Sequence, residues 1–341
     1  MHIRTPEIGI DLGTSYTMMY VKKRGTVVTE PSLVVVEGSN RRQIVAVGDE
    51  VSHVIGRTPN ALTVIRPIRN GVIADFDMAA LMIKYFMRKA VGSSNLIKPR
   101  VVVSVPAGMD EINRKAITEA IRVSGVKKIH LMEKPFAAAL GSGLKAYDPV
   151  GSMVVDIGGG TTDVAVISLG GVVVGQSIPV GGQKMDEAIV NHIKREFRML
   201  IGELTAERVK IDLGSAMPQG DTRSVRIRGR DLLTEGQGME IEYTADQVYK
   251  AIHEPCKAIV NAIRWVLERT PPELCADILR TGIHLTGGGS QLPAMDQYIS
   301  TTLGIPVLIA REPSDCTIKG LGHIVENIPY YTQQGRMPPL G

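Results

Sequence analysis

Runs of β-branched residues alternate along this chain with stretches whose apolar positions recur every three to four residues, the pattern of an α/β protein. Residues 7–13 (EIGIDLG) predict a strand entering a glycine turn. Residues 17–21 and 26–29 predict the next two strands, with Lys23, Arg24 and Gly25 turning between them. Residues 100–106 (RVVVSVP), 152–158 (SMVVDIG) and 282–289 (GIHLTGGG) are apolar runs suited to buried strands. Thr244-x-x-Gln247 is a capping-box pattern that opens a helix with Ile252, Ile259, Ile263 and Val266 on one face; Pro255 is expected to kink it or end its first segment. Thr270, followed by Pro271 and Pro272, stops that helix and starts another. Met185, Ile189, Ile193, Phe197 and Leu200 predict a further amphipathic helix, closed by Gly202. These stripes read as core packing.

An internal repeat bears on the architecture. DLGTSYTMMYVKKRGTVV begins at Asp11 and DIGGGTTDVAVISLGGVVV begins at Asp156. Each runs through a strand, Asp-x-Gly, a turn of small or hydroxyl residues, an apolar strand, a glycine turn and another apolar strand. Two copies half a chain apart imply two similar subdomains. If they face each other, both turns converge on one cleft, a common place for a ligand.

The length of 341 residues agrees with two domains, or one large domain split by a cleft. The net charge of +4 is spread along the chain rather than gathered into the basic patch of a nucleic-acid binder, although it is compatible with weak attraction to an anionic membrane. Cys256, Cys275 and Cys316 are far apart and lack metal-ligand spacing, so they read as buried thiols in a reducing cytosol. No signal-peptide pattern and no apolar run of the ~20 residues that span a bilayer is visible, so a soluble or peripheral protein is expected.

Turns without side chains expose backbone N–H groups that can cradle phosphate oxygens. Gly13, Thr14 and Ser15 offer this in the first repeat, and Gly158, Gly159, Gly160 and Thr161 in the second. Asp11 and Asp156 place a carboxylate beside each turn, a pair suited to Mg²⁺ held largely through water. A third glycine element, LTGGGSQLP over 285–293, follows a buried strand and precedes an expected helix. It lacks the dinucleotide fingerprint and the Walker A lysine, which disfavours a Rossmann dehydrogenase or a P-loop enzyme.

Asp-x-Gly-Thr near the N-terminus, Asp-Ile-Gly-Gly-Gly-Thr-Thr mid-chain and Thr-Gly-Gly-Gly near the C-terminus resemble the two phosphate motifs and the adenosine motif of the actin superfamily. VGDEVSHVIGRTP, RPIRNGVIADFD, EKPFAAALGSGL, TAERVKIDLGSA and IRGRDLL extend the resemblance, in order, to the MreB family of bacterial actin homologues. The resemblance implies an actin-like, ribonuclease-H-like α/β fold with four subdomains around a nucleotide cleft. The first domain would cover 1–141 with a small insertion near 30–71. The second would cover 142–341 with an insertion near 183–242, and a helix near 314–326 would return to the first. It also implies ATP and Mg²⁺, with Gly13 to Ser15 and Gly158 to Thr161 on the phosphates. Glu207, Arg208, Val209 and Lys210 would lie by the ribose and adenine, and Gly287, Gly288, Gly289 and Ser290 would line the adenosine. Without the resemblance, Glu207 and Lys210 read as a charge pair on a helix face.

The implied function is a filament-forming cytoskeletal protein. It would form paired protofilaments at the inner face of the cytoplasmic membrane and guide cell-wall elongation and rod shape together with membrane proteins of that machinery. Leu96 and Ile97, flanked by Arg88, Lys89, Lys98 and Arg100, match the family's membrane-inserting loop; the alternative is that they fold back onto the core. The chain departs from the family at Glu133-Lys134-Pro135, where Glu-Glu-Pro is usual. The second acid is expected to orient the attacking water together with the hydroxyl matching Thr161, whereas an ammonium donates hydrogen bonds and cannot take a proton. Slow or absent hydrolysis with ATP still bound is therefore expected, unless Glu133 substitutes or Lys134 turns to solvent. The other classes are a chaperone-type ATPase, for which the chain lacks a substrate domain, and a small-molecule kinase. Asp163 is the nearby candidate base for a kinase, and it is expected to point away from the cleft.

Overall fold

The computed structural model describes residues 5–38, 43–51, 62–92, 98–220, 222–234 and 237–333. Strands β1 (Glu7–Leu12), β2 (Tyr16–Val21) and β3 (Gly25–Pro31) form an antiparallel meander, with Lys23 and Gly25 at positive φ in the tight turn between β2 and β3. β4 (Val34–Glu37), β5 (Gln43–Val47) and β6 (Leu62–Ile65) form a small separate sheet, and β7 (Ile68–Arg69) pairs with β8 (Val72–Ile73). Helix α1 (Phe76–Val91), capped by Asp75, leads to β9 (Arg100–Val105), α2 (Glu111–Val123), β10 (Lys128–Glu133) and α3 (Lys134–Gly141).

The second half repeats the scheme. β11 (Ser152–Ile157), β12 (Thr162–Ser168) and β13 (Gly171–Ile178) make another meander. α4 (Gly182–Phe197), β14 (Met199–Leu200), α5 (Glu203–Leu213), β15 (Ser224–Asp231) and β16 (Gly238–Thr244) follow, the three strands forming their own sheet. α6 (Ala245–Arg269), α7 (Pro272–Thr281), β17 (Ile283–Thr286), α8 (Met295–Leu303), β18 (Val307–Ile309), α9 (Cys316–Glu326) and the short α10 (Ile328–Gln333) complete the described fold.

The two large sheets have the same order. One reads β10-β9-β1-β2-β3 and the other β18-β17-β11-β12-β13, each with a parallel trio and an antiparallel meander. The hairpin registers also coincide: Asp11 lies opposite Met18, and Asp156 lies opposite Asp163, seven positions on in both copies. This is the duplication written in the sequence.

Each sheet has its own apolar core, and a third cluster joins them. That cluster contains Ala137, Ala138, Ile318 and Leu321 from the crossing of α3 and α9, with Val102 of one sheet and Val154 of the other. The crossing is close because both helices present glycine. A Cβ on Gly141 would lie 1.8 Å from the Cys316 carbonyl oxygen, and one on Gly320 would lie 1.8 Å from that of Ala137.

Four local expectations are corrected. Leu200 is not on the Met185 helix: α4 ends at Phe197, Arg198 takes a left-handed conformation (φ 53°), and Leu200 pairs with Arg230 as strand. Gly202 precedes α5 rather than closing α4. Pro255 does not end a first segment of its helix; α6 runs as one helix over 25 residues, held by a buried face that includes Ile252, Cys256, Ile259 and Ile263. Packing along that face outweighs one lost backbone hydrogen bond. The GGG element leads first into a 3₁₀ turn, Gly288–Gln291, and the helix starts later at Met295. No helix among the described residues is long and apolar enough to cross a membrane.

Candidate functional site

The carboxyl ends of the two parallel trios meet, the position at which open α/β sheets offer ligand crevices. β1 ends beside Asp11, β9 beside Ser104 and Pro106, and β10 at Glu133. On the facing sheet β11 ends beside Asp156 and β17 at Thr286.

Both glycine turns close in the same way. Gly13 N–H donates to the Tyr16 carbonyl at 3.1 Å, and Gly158 N–H donates to that of Thr161 at 2.8 Å. The turns then abut each other. A Cβ on Gly159 would stand 2.0 Å from Ser15 Oγ, and one on Gly160 would stand 2.4 Å from Thr14 Oγ1. Glycine is required at these two positions by the close approach of the opposite turn. Thr14, Ser15, Gly159 and Gly160, expected on the phosphates, are thus brought to one place.

Residues that sequence reasoning passed over hold this arrangement. Buried Ser32 donates from Oγ to the Gly13 carbonyl (2.7 Å), and its N–H donates to that of Ser15 (2.9 Å). Gly71, at φ 75°, donates to Thr14 Oγ1 at 3.2 Å and packs beside Pro106 and Thr161. The start of α4 binds the second turn: Gly182 N–H donates to the Gly158 carbonyl (3.0 Å), and Gln183 N–H to that of Gly159 (2.8 Å). A Gly-Gly pair directly before an amphipathic helix was the available signal for that contact.

Lys210, expected near the ribose, bonds Asp186 at 2.8 Å and the Gly182 carbonyl at 3.1 Å, rather than pairing with Glu207 along the helix. Val209 is buried in the core of the second half, while Glu207 and Arg208 are exposed. Glu203, at the start of the same helix, meets Arg66 across the cleft rim at 3.2 Å. Gly287 (φ 80°) and Gly289 pass so close to Ile157 that a Cβ on either would collide with it. Gly288 is exposed, and Ser290 Oγ donates back to the Gly287 carbonyl at 2.7 Å.

Lys134 occupies the middle of the site. As the first residue of α3 it leaves the end of β10 and reaches between the two carboxylates, 3.3 Å from Asp156 Oδ1 and 4.0 Å from Asp11 Oδ1. It neither turns to solvent nor stands free. Ser104 Oγ donates to Asp11 Oδ1 at 2.6 Å, and Thr286 and Thr317 donate to Asp156 Oδ2 at 3.1 and 3.3 Å. Burial alone lowers the lysine's pKa, but the charges of Asp11, Asp156 and Asp163 more than reverse this and hold it above its ordinary value. The side chain is therefore an ammonium at any physiological pH.

Asp163 faces this cluster rather than away from the cleft. Its carboxylate accepts from Ala107 N–H (2.9 Å) and Thr161 Oγ1 (3.1 Å), and burial pushes its pKa up. Glu133 turns instead to the 106–108 loop, accepting from Gly108 N–H at 3.4 Å. Asp11 and Asp156 do not fit the expected Mg²⁺. A hydrated divalent cation keeps several waters around it, and the space between these carboxylates is filled by a positive group. Among the described residues no cluster of three or more His, Cys, Asp or Glu is placed to hold a metal.

Leu96 and Ile97 lie outside the described residues. Two of the cations flanking them are paired within the protein, Lys89 with Glu30 and Arg100 with Glu7. The three cysteines are free thiols; Cys256 and Cys316 are buried and Cys275 is half-buried.

A sequence profile of the family described as MreB/Mbl protein matches residues 5–333. The chain belongs to the MreB/Mbl family. Among its relatives, the cell shape-determining protein Mbl of Bacillus subtilis is 44% identical over 322 residues, covering 94% of this chain and 96% of Mbl. The cell shape-determining protein MreB of Escherichia coli K12 is 43% identical over 327 residues, 94% of each chain. The crystal structure of MreB5 of Spiroplasma citri bound to ADP superposes with a TM-score of 0.89 at 32% identity, covering 97% of this chain and 99% of MreB5. A MamK double helical filament structure matches with a TM-score of 0.78 at 22% identity, over 95% of this chain and 99% of MamK, which shows the shared actin-like fold. For an MreB/Mbl chain, the identical order of the two large sheets is that fold's duplication.

Proposed function

We propose that this MreB/Mbl chain binds an adenine nucleotide between its two glycine turns and assembles, in a nucleotide-dependent way, into filaments that govern cell shape at the inner face of the cytoplasmic membrane. The observation that carries the reading is the abutment of Thr14 and Ser15 against Gly159 and Gly160, which gathers two glycine turns and the start of α4 at one spot. MreB5, of the same family, has been crystallised with ADP and with AMPPNP. Its relatives Mbl and MreB are named as cell shape-determining. Two domains, 1–141 and 142–341, divide at the cleft in this reading. Leu96 and Ile97 are the proposed membrane contact, and proteins of cell-wall elongation are the proposed partners there. Head-to-tail contacts that do not close a ring give the filament.

Hydrolysis is slow in this reading. Lys134 stands where an acid would orient water, and its ammonium, held by two carboxylates, cannot accept a proton. The test combines pelleting and electron microscopy with ATP, with a non-hydrolysable analogue and with no nucleotide. Filaments should appear with both nucleotides and be stable with ATP. Failure to bind or pellet with either removes the reading. Phosphate release by Lys134→Glu should exceed that of the wild type by about a hundredfold; equal rates would remove the role given to Lys134.

A further inference from the structure

The Lys134 ammonium stands between the carboxylates of Asp11 and Asp156, where a divalent ion would otherwise be expected. Among the described residues, Asp156 Oδ1 is buried without a neutral hydrogen-bond donor and faces the Lys134 ammonium at 3.3 Å. The other oxygen of Asp156 is taken by Thr286 and Thr317, and Asp11 Oδ1 is taken by Ser104. The lysine is therefore the counter-charge of this pair and not a bystander. Its position beside the second glycine turn is equally specific: Nζ lies 3.6 Å from the point where a Cβ on Gly158 would stand.

We propose that Lys134 is a tethered substitute for a divalent cation, so that the chain binds its nucleotide as the metal-free anion. The inference rests on the nucleotide reading above and adds the form in which the nucleotide is bound. An ammonium has three donors. Asp156 Oδ1 at 3.3 Å faces one of them, Asp11 at 4.0 Å is paired by charge alone, and a remaining donor is open to a phosphate oxygen placed at the turn after Asp156. A divalent ion arriving at the same place would meet a fixed positive charge about 4 Å or less away, in a poorly solvated site where that repulsion is weakly screened. It would also have to displace an ammonium already paired with both carboxylates. Because the lysine is part of the chain, its charge is present at any metal concentration. It holds phosphate charge in the ground state but does not polarise a water or take its proton, so tight binding and slow turnover come from one substitution.

The experiment titrates a fluorescent adenine nucleotide into the full chain with Mg²⁺ and with EDTA, for the wild type, Lys134→Glu and Lys134→Gln. The wild type should bind within about threefold equally in both, and Lys134→Glu should bind at least about tenfold more weakly in EDTA and recover with Mg²⁺. A wild type that loses about tenfold or more in EDTA overturns the inference and leaves the nucleotide reading intact. A wild type that binds under neither condition overturns both. Thermal melting without nucleotide gives a second readout if Lys134→Glu does not fold. Mg²⁺ should raise the Tm of Lys134→Gln, whose carboxylates are then uncompensated, and leave the wild type unchanged. An equal Mg²⁺ shift in both, or none in the variant, overturns the inference.

Discussion

Asp186 sits below the second glycine turn with 10% of its side chain exposed, and burial pushes its carboxyl up to about 6 despite the opposing pull of Lys210. A raised carboxyl favours folding in its protonated form. Its contribution is full below the ordinary carboxylate pKa and is lost as pH rises through about 6. The shift corresponds to at most about 3 kcal/mol of pH-dependent stability. Asp186→Asn should therefore flatten the fall in stability between pH 4 and pH 6 seen in urea melts of the wild type; parallel curves would show that Asp186 does not titrate there. The neighbouring turn gives a steric prediction. Gly160→Ala places a methyl within 2.7 Å of Thr14 Cβ, which cannot rotate away. It should cost about 1–3 kcal/mol and weaken nucleotide binding by about tenfold, by melting and by titration. Unchanged binding would mean that the two turns do not act together.

At the scale of elements, chain breaks follow local rules while continuity follows packing. Thr244 and Gln247 form the reciprocal cap that their spacing predicts, and Pro271–Pro272 divides α6 from α7. The end of α4 was not legible, because Arg198 adopts φ 53° without glycine or asparagine to announce it. An arginine there pays a steric penalty that glycine would not, so Arg198→Gly should stabilise the protein by about 1 kcal/mol, read as a raised Tm. A lowered Tm would mean that the arginine side chain has contacts worth more than the strain.

For the whole molecule, the joint between the halves is the crossing of α3 and α9, where Gly141 and Gly320 let the backbones touch. Gly320→Ala would drive a methyl into the Ala137 carbonyl, and should destabilise by about 3 kcal/mol or more. Because the cluster at that crossing joins both sheets, denaturant melts should lose their single cooperative transition and limited proteolysis should cut between the halves. A single sharp transition at the wild-type midpoint would show that the crossing does not couple them.

The duplicated Asp-x-Gly hairpins, their strands and their glycine turns were written in the chain, because local spacing dictates a hairpin and its register. So was the presence of lysine where an acid was expected. What tertiary structure alone decided is where that lysine points. Asp11 lies more than a hundred residues before Lys134 and Asp156, and the three share no local pattern, so the placement of an ammonium between two carboxylates arises when two sheets bring their carboxyl ends together. The same holds for Ser32, Gly71 and Gly182, whose contacts with the turns depend on distant chain segments meeting. Periodicity records which face of an element is buried, while the partner on the other side is chosen by packing.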